Sequence, residues 1–256
     1  MVCSPLSLFV LQGRRSVILR AQLLAAGLGT RLRPLTDTVP KCLVPIAGRP
    51  LLGYWLDLLR DCERVVINTH YLPERVEAFV ATLPEATRRR VVLAHEETLL
   101  GTGGTLLRQR AHFADAPFLV AHADNLSRFD LAAFRERHRR RPPGVAITMM
   151  TFETDDPASC GIVEQDADGI VTAFHEKVAD PPGREANGAV YIFDPEVLEA
   201  IAALGTPEVD LSTQIIPAFL GRIQTFANRD YHRDIGTPAS LSRAERDFAA
   251  PTGAEP

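Results

Sequence analysis

The stretch Leu23-Leu24-Ala25-Ala26-Gly27-Leu28-Gly29-Thr30-Arg31-Leu32-Arg33-Pro34-Leu35-Thr36, closed by Pro40-Lys41, decides how the rest of this chain is read. A short apolar run ends in small residues and a glycine pair, and cationic side chains follow at once. The pattern predicts a buried strand that delivers the backbone to a turn where Gly27 and Gly29 carry no Cβ. Peptide N–H groups there can close on an anion that a side chain would hold off. Thr30 adds a hydroxyl donor, while Arg31 and Lys41 add charge suited to phosphate oxygens. An ordinary strand-to-loop turn with a solvated arginine would use some of these residues, but not so many phosphate-binding features together.

Two familiar glycine motifs are excluded. The dinucleotide fingerprint needs a third glycine where Leu32 stands, and the P-loop needs a Gly-Lys pair that this chain lacks. The stretch instead resembles the opening motif of the sugar-1-phosphate nucleotidylyltransferase family, G-x-G-T-R-x-x-P-x-T with a later P-K. That motif is complete here, from Gly27 through Thr36 to Pro40-Lys41.

Working outward, apolar residues at helical spacing run from Pro50 to Arg60, and Arg64 to Asn68 is a β-branched strand. A helix is expected around Pro73 to Leu83, then a strand from Arg90 to Ala94. Such alternation predicts an α/β fold with a mostly parallel sheet and helices on both faces. Ligands of these sheets bind beyond the carboxyl ends of the strands. A second glycine loop, Leu100-Gly101-Thr102-Gly103-Gly104, opens the next helix. It reads either as a plain helix entry or as backbone that reaches a ligand. The family has L-G-T-x-G here, against the nucleotide base, and Gly101, Thr102 and Gly103 are carried over as nucleotide-binding together with Ala26, Gly27, Gly29 and Thr30.

Phe118 to His122 is a buried-strand pattern with Asp124 just past its end. An aspartate there is a hard-oxygen ligand suited to Mg²⁺, and equally a turn former or helix cap. The family has G-D-N or G-D-D where this chain has Ala123-Asp124-Asn125. Asp130 caps a helix that Pro142-Pro143 stops. A hairpin follows, Gly161 to Gln165 and Ile170 to Lys177, and then a strand over Asn187 to Phe193. These leave the strand–helix alternation and suggest a small β-rich lobe built onto the nucleotide half. Side by side, Glu176 and Lys177 read as surface charges. The family's E-K followed by N-x-G-x-Y implies that Glu176, Lys177 and Asn187 hold the sugar phosphate, although Gly188-Ala189 departs from the commoner order. Asp210 to Leu220 is expected to be helical and Ile223 to Ala227 a strand. Asp234-Ile235-Gly236-Thr237-Pro238 resembles the family's D-I-G-T-P, whose aspartate is the second metal ligand.

The resemblance covers Leu23 to about Phe248. It implies a Rossmann-like, GT-A-like sheet in a single domain over 23–250, with the nucleotide half at about 23–140 and the sugar lobe at about 145–235. Residues 1–22 are read as an N-terminal extension of open status. It further implies transfer of a nucleotidyl group from a nucleoside triphosphate to a sugar 1-phosphate with release of pyrophosphate. Catalysis would rest on Arg31, Lys41, Asp124 and Asp234, with Mg²⁺ held by Asp124 and Asp234. The glycine loop at 100–104 looks most like mannose- or heptose-1-phosphate guanylyltransferases, with uridylyltransferases of muramate or hexose type as the alternative. A GT-A glycosyltransferase or a non-catalytic nucleotide-sugar sensor are rivals of other classes. The first has no use for the triphosphate loop, and the second would not be expected to keep all four charged residues.

With 46% hydrophobic residues in 256, the chain can bury a substantial core. A net charge of −4 gives no reason to expect a nucleic acid or membrane partner, so an anionic ligand must be held by local charge. Cys3, Cys42, Cys62 and Cys160 have neither metal-ligand nor redox-pair spacing, which predicts a reducing, cytoplasmic setting. The opening residues lack a basic leader and a small-residue cleavage site, so no signal peptide is expected. A homo-oligomer is left open.

Overall fold

The computed structural model describes residues 19–249. The reading of residues 1–18 as an extension lies outside them. Strand β1 (Arg20–Leu24) begins at Arg20, so the boundary expected at residue 23 falls inside the central sheet. Alternate β1 side chains enter different cores. Ala21 and Leu23 pack on one face, and Leu24 packs on the other.

A small hairpin, β2 (Pro45–Ile46) and β3 (Arg49–Pro50), leads into α1 (Leu51–Leu58). Then come β4 (Arg64–Thr69), α2 (Pro73–Ala81), the single turn α3 (Glu85–Arg88) and β5 (Val91–His95). Proline at the first position of α2, with Glu74 after it, suits a helix start, because no N–H is wasted and the acid meets the positive end of the helix dipole. Helix α4 (Gly101–Arg108) precedes β6 (Phe118–His122) and β7 (Asn125–Arg128). Helix α5 (Leu131–Arg139) is capped as expected, with Asp130 Oδ1 accepting from the Ala133 N–H at 3.0 Å. The β-rich part is β8 (Ile147–Glu153), β9 (Gly161–Gln165), β10 (Val171–Glu176) and β11 (Glu185–Phe193). The chain closes with α6 (Glu196–Ala203), α7 (Ile216–Ala218), β12 (Ile223–Ala227), β13 (Tyr231–Asp234) and α8 (Pro238–Ala249).

The main sheet runs β10-β9-β11-β6-β1-β4-β5, with β8 on β11 and β12 on β8. Its β6-β1-β4-β5 part is parallel, and β11 joins β6 antiparallel. The first strand of the chain therefore lies in the middle, between β4 and β6, and the order reverses there. That reversal opens a crevice beyond the carboxyl end of β1, where the glycine stretch emerges. Helices cover both faces. Leu52, Trp55 and Leu56 of α1, Val76 and Val80 of α2 and Phe134 of α5 fill one core. Leu106 of α4 and Val197, Leu198 and Ile201 of α6 fill the other.

Two expectations need correction. The helix expected over Asp210–Leu220 is a wider π-type turn, Leu211–Ile215, followed by the short α7. Asp210 caps it by accepting from the Thr213 N–H and hydroxyl. The glycines at 103 and 104 do not offer amides to a ligand. Both N–H groups donate to the Val209 carbonyl, at 2.7 and 3.2 Å. Their missing side chains admit the 207–209 segment, since a Cβ on Gly104 would stand 2.2 Å from the Pro207 carbonyl oxygen. Rigid backbone has no room to yield there. Gly104→Ala is expected to cost about 2 kcal/mol or more of unfolding free energy, as overpacking does. Urea denaturation checks this, and unchanged stability would refute the packing role.

Candidate active site

The crevice at the carboxyl ends of β1, β4, β5 and β6 holds a cleft of about 210 Å³. Ala26, Gly27, Gly101 and Thr102 all line it. A Cβ on Gly27 would meet nothing within 4 Å, so this position is open to a close approach. Gly29 serves differently. Its φ is +64°, and a Cβ would press on Thr36 and Lys41 at 3.0 and 3.2 Å. The buried Thr36 hydroxyl donates to the Gly29 carbonyl at 2.7 Å and so pins the loop against Lys41. Thr30 is exposed at the start of a 3₁₀ turn, Thr30–Leu32, beside the cleft rather than in its lining.

Lys41 is only 6% exposed, and its ammonium bonds both expected metal ligands, Asp124 Oδ2 at 2.7 Å and Asp234 Oδ1 at 3.1 Å. The fold brings these acids together in two steps. The Ala123 N–H donates to the Leu24 carbonyl, which carries the chain from β6 past the glycine loop. Strands β7 and β13 then pair antiparallel with Asp234 opposite Asn125, and the Ile235 N–H donates to the Asp124 carbonyl. Trp55 braces β7 from below through its indole N–H, which donates to the Asn125 carbonyl at 2.8 Å. Arg31 approaches from the solvent side, with Nη2 3.6 Å from Asp234 Oδ2. Gly236 makes room for it, since a Cβ there would lie 2.7 Å from the guanidinium.

Burial alone would favour a neutral Asp124, but the Lys41 ammonium beside it outweighs this and holds the carboxyl below the usual carboxylate range. Burial pushes the His122 imidazole down, so at neutral pH it carries no charge in the cleft lining.

The other expected residues gather on the far side of Asp124. Asn125 Nδ2 donates to the Gly188 carbonyl at 3.4 Å, joining the acid strand to a kink in β11. There Ala189 has φ +52° and the register slips between Asn187 and Tyr191. Asn187 supports this kink. Its Nδ2 donates to the Tyr191 hydroxyl and its Oδ1 accepts from the Ala189 N–H. Glu176 ends β10, with its Oε1 3.0 Å from the ammonium of Lys177, itself largely exposed.

Several cleft residues had no role in the sequence reading, namely Asn68, Glu96, Leu99, Thr105 and His122. The available signal was position. Asn68 and His122 stand at the carboxyl ends of strands, and Glu96 directly follows one.

The nucleotidyl transferase family model matches residues 20–250. The chain belongs to this family. Among its relatives is a mannose-1-phosphate guanylyltransferase of Mycobacterium tuberculosis (strain ATCC 25618 / H37Rv), 33% identical over 234 residues, which cover 89% of this chain and 64% of the relative. A UTP–glucose-1-phosphate uridylyltransferase of Synechocystis sp. (strain ATCC 27184 / PCC 6803 / Kazusa) is 31% identical over 216 residues, covering 78% of this chain and 54% of that protein. The chain thus spans less than two thirds of the length of these relatives. Among solved structures, a putative glucose-1-phosphate thymidylyltransferase from Bacillus anthracis superposes with a TM-score of 0.81 at 20% identity, over 93% of this chain and 98% of that one. HddC from Yersinia pseudotuberculosis, complexed with GMP-PN, gives 0.72 at 26% identity, over 90% and 99%. These superpositions agree with the mixed sheet and its Rossmann-like parallel part.

Removing the shared ammonium tests the electrostatics. In the wild type, the lowered Asp124 pKa adds stability that is present above the unfolded value near ~3.9 and lost as pH falls through the folded one. Lys41→Met is therefore expected to cost about 1 kcal/mol at pH 7, a modest figure because both carboxylates reach water. The deficit should shrink toward pH 3. Thermal unfolding across pH checks this, and a pH-independent deficit would count against it.

Proposed function

We propose that this chain transfers a guanylyl group from GTP to mannose or heptose 1-phosphate and releases pyrophosphate. The observation that carries this reading is the glycine-walled cleft with Lys41 bound between Asp124 and Asp234 beside it. The guanylyltransferase names among the relatives support the choice of base, while the Synechocystis protein keeps UTP with a hexose 1-phosphate as the alternative.

In the reaction an oxygen of the sugar phosphate attacks the α-phosphorus. The bond from that phosphorus to the α,β-bridging oxygen breaks, and pyrophosphate departs with the electron pair. The substrate supplies the nucleophile, so the protein has to align the partners and neutralise charge. Backbone at Ala26 and Gly27 takes the phosphates, and Thr30 adds a donor at the rim. The Arg31 fork grips two oxygens of the departing pyrophosphate, and Lys41 gives a compact charge to the α-phosphate. Glu176 accepts from sugar hydroxyls, Lys177 meets the sugar phosphate, and Asn187 keeps the kink of β11 in place.

Asp124 and Asp234 fit Mg²⁺, a hard cation usually bound by one or two carboxylates with phosphates and water completing its shell. Bound there it would neutralise charge on the phosphates as a Lewis acid. Among the described residues no group of three or more acids, histidines or cysteines offers another cage. None of the described helices is long and apolar enough to cross a membrane. Cys42, Cys62 and Cys160 are free thiols, in keeping with a reducing, cytoplasmic setting.

The test is pyrophosphate release from each of four nucleoside triphosphates against a panel of sugar 1-phosphates with Mg²⁺. GTP with mannose or heptose 1-phosphate should turn over fastest. UTP with a hexose 1-phosphate would move the reading to its alternative, and silence across the panel would end it. A second expectation concerns Lys41→Met, which frees both carboxylates from their resident ammonium. Mn²⁺ should bind this nucleotide-free variant several-fold more tightly by electron paramagnetic resonance, while turnover falls by ~tenfold or more, about 1.4 kcal/mol of barrier. Weaker Mn²⁺ binding would show that the lysine and the metal do not share these oxygens.

A further inference from the structure

The chain contains one tryptophan, Trp55, and no step of the reaction above uses it. It lies in α1 and is 2% exposed. A buried indole needs an acceptor for its N–H. Trp55 finds one 70 residues away, in the Asn125 carbonyl at 2.8 Å.

The strand register sets that carbonyl apart. Strands β7 and β13 form a two-stranded sheet of their own. The Ile235 N–H donates to the Asp124 carbonyl at 3.2 Å, which makes Asp124 and Ile235 a hydrogen-bonded pair. Asn125 and Asp234 are the next pair. Bonded and non-bonded pairs alternate along an antiparallel ladder, so the Asn125 N–H and carbonyl point out of it. Asn125 is 6% exposed, and a buried carbonyl without a donor is costly. The Trp55 N–H meets that need one residue from Asp124 and across the ladder from Asp234.

Two paired strands by themselves are marginal, so this ribbon depends on what holds it. Its apolar support is a small core in which Leu126 and Ile235 meet Ile46, Leu51 and Ala244. Helix α1 reaches this core with Leu51 and the main core with Leu52 and Leu56. It is a strut between the sheet that delivers the glycine loop and the ribbon that sets the two acids. The indole is where the strut grips the ribbon's backbone.

We propose that Trp55 is a positioning residue for the reaction, and that its N–H fixes the spacing of Asp124 and Asp234 around the Lys41 ammonium. This rests on the nucleotidyl-transfer reading above. The contact lies apart from the glycine loop, so its loss is felt in turnover and in cation binding at the acids, not in the affinity for triphosphate.

The experiment removes one hydrogen. Because residue 55 is the sole tryptophan, a tryptophan auxotroph fed benzothienylalanine exchanges it alone, with sulfur where the N–H stood and the ring shape retained. Circular dichroism and melting temperature establish folding. With the substrate pair that the wild type uses best, kcat should fall ~tenfold or more, as small misplacements at a reacting centre do, while KM for the triphosphate stays within ~twofold. Mn²⁺ binding to the nucleotide-free protein, read by electron paramagnetic resonance, should weaken several-fold, which a merely stabilising indole would not bring about. A folded protein with wild-type kcat and Mn²⁺ affinity overturns the assignment and leaves nucleotidyl transfer standing, as does a loss confined to KM. A wild type silent on every substrate pair ends the reaction reading and the proposal with it. If the substituted protein does not fold, nuclear magnetic resonance of the wild type decides. Its single indole N–H signal should exchange slowly and shift when Mg²⁺ and triphosphate bind, and fast exchange or an unmoved signal overturns the proposal.

Discussion

Two carboxylates and one ammonium, supplied by residues 41, 124 and 234, are the constraint around which this crevice is built. Asp124 and Asp234 both bond the same ammonium, so neither carboxylate faces the other without a compensating charge. The Lys41 ammonium outweighs burial and holds the Asp124 carboxyl below its ordinary range. Meeting it requires three separate devices. Thr36 and Gly29 fold the glycine loop back onto Lys41. The β6 extension carries Asp124 beside that loop, and the β7–β13 ladder delivers Asp234 from the far end of the chain. The Trp55 indole contributes by holding the backbone next to Asp124.

From this centre the strand order sets out the ligand. Ends of β5 and β4 carry Glu96 and Asn68, β1 carries the glycine loop, and β6 leads to Asp124, beside which β13 sets Asp234. Beyond them lie β11 with its kink at Asn187 and β10 with Glu176. In the proposed reaction this sequence of strand ends corresponds to base, phosphates, metal and sugar, read across the sheet. The chain does not follow that order, since β1 comes first yet lies in the middle. The centre of the crevice is made by the first residues of the fold, and each later strand adds a flank.

Much of this was legible from local patterns. Alternating β-branched runs and helical stripes marked the parallel half, Asp124 stood out as an acid just past a strand, and Asp234 was marked through the D-I-G-T-P resemblance. Asp130 announced its helix through ordinary capping chemistry. What stayed hidden depended on distant partners. The glycines at 103 and 104 look like a ligand loop because nothing nearby reveals that the 207–209 segment presses on them. Lys41 read as a phosphate cation, and its pairing with two acids 83 and 193 residues away has no local signature. Glu96 had no role in the sequence reading, because its partners Thr105 and Asn68 lie 9 and 28 residues away and leave no local signature.

Strand β11 has a consequence for anyone wishing to recombine such proteins. It pairs with β6 over Val190–Phe193, with β8 on both sides of the kink, and with β9 at Ala186, near Asn187. One continuous strand therefore belongs to both halves, and no linker separates them. The β-rich part grafted from a relative as a cassette would arrive without the residues that hydrogen-bond to β6. An exchange has to proceed by replacing side chains on a retained β11, or by moving β6, β8 and β11 together, so the scaffold is inherited as one piece.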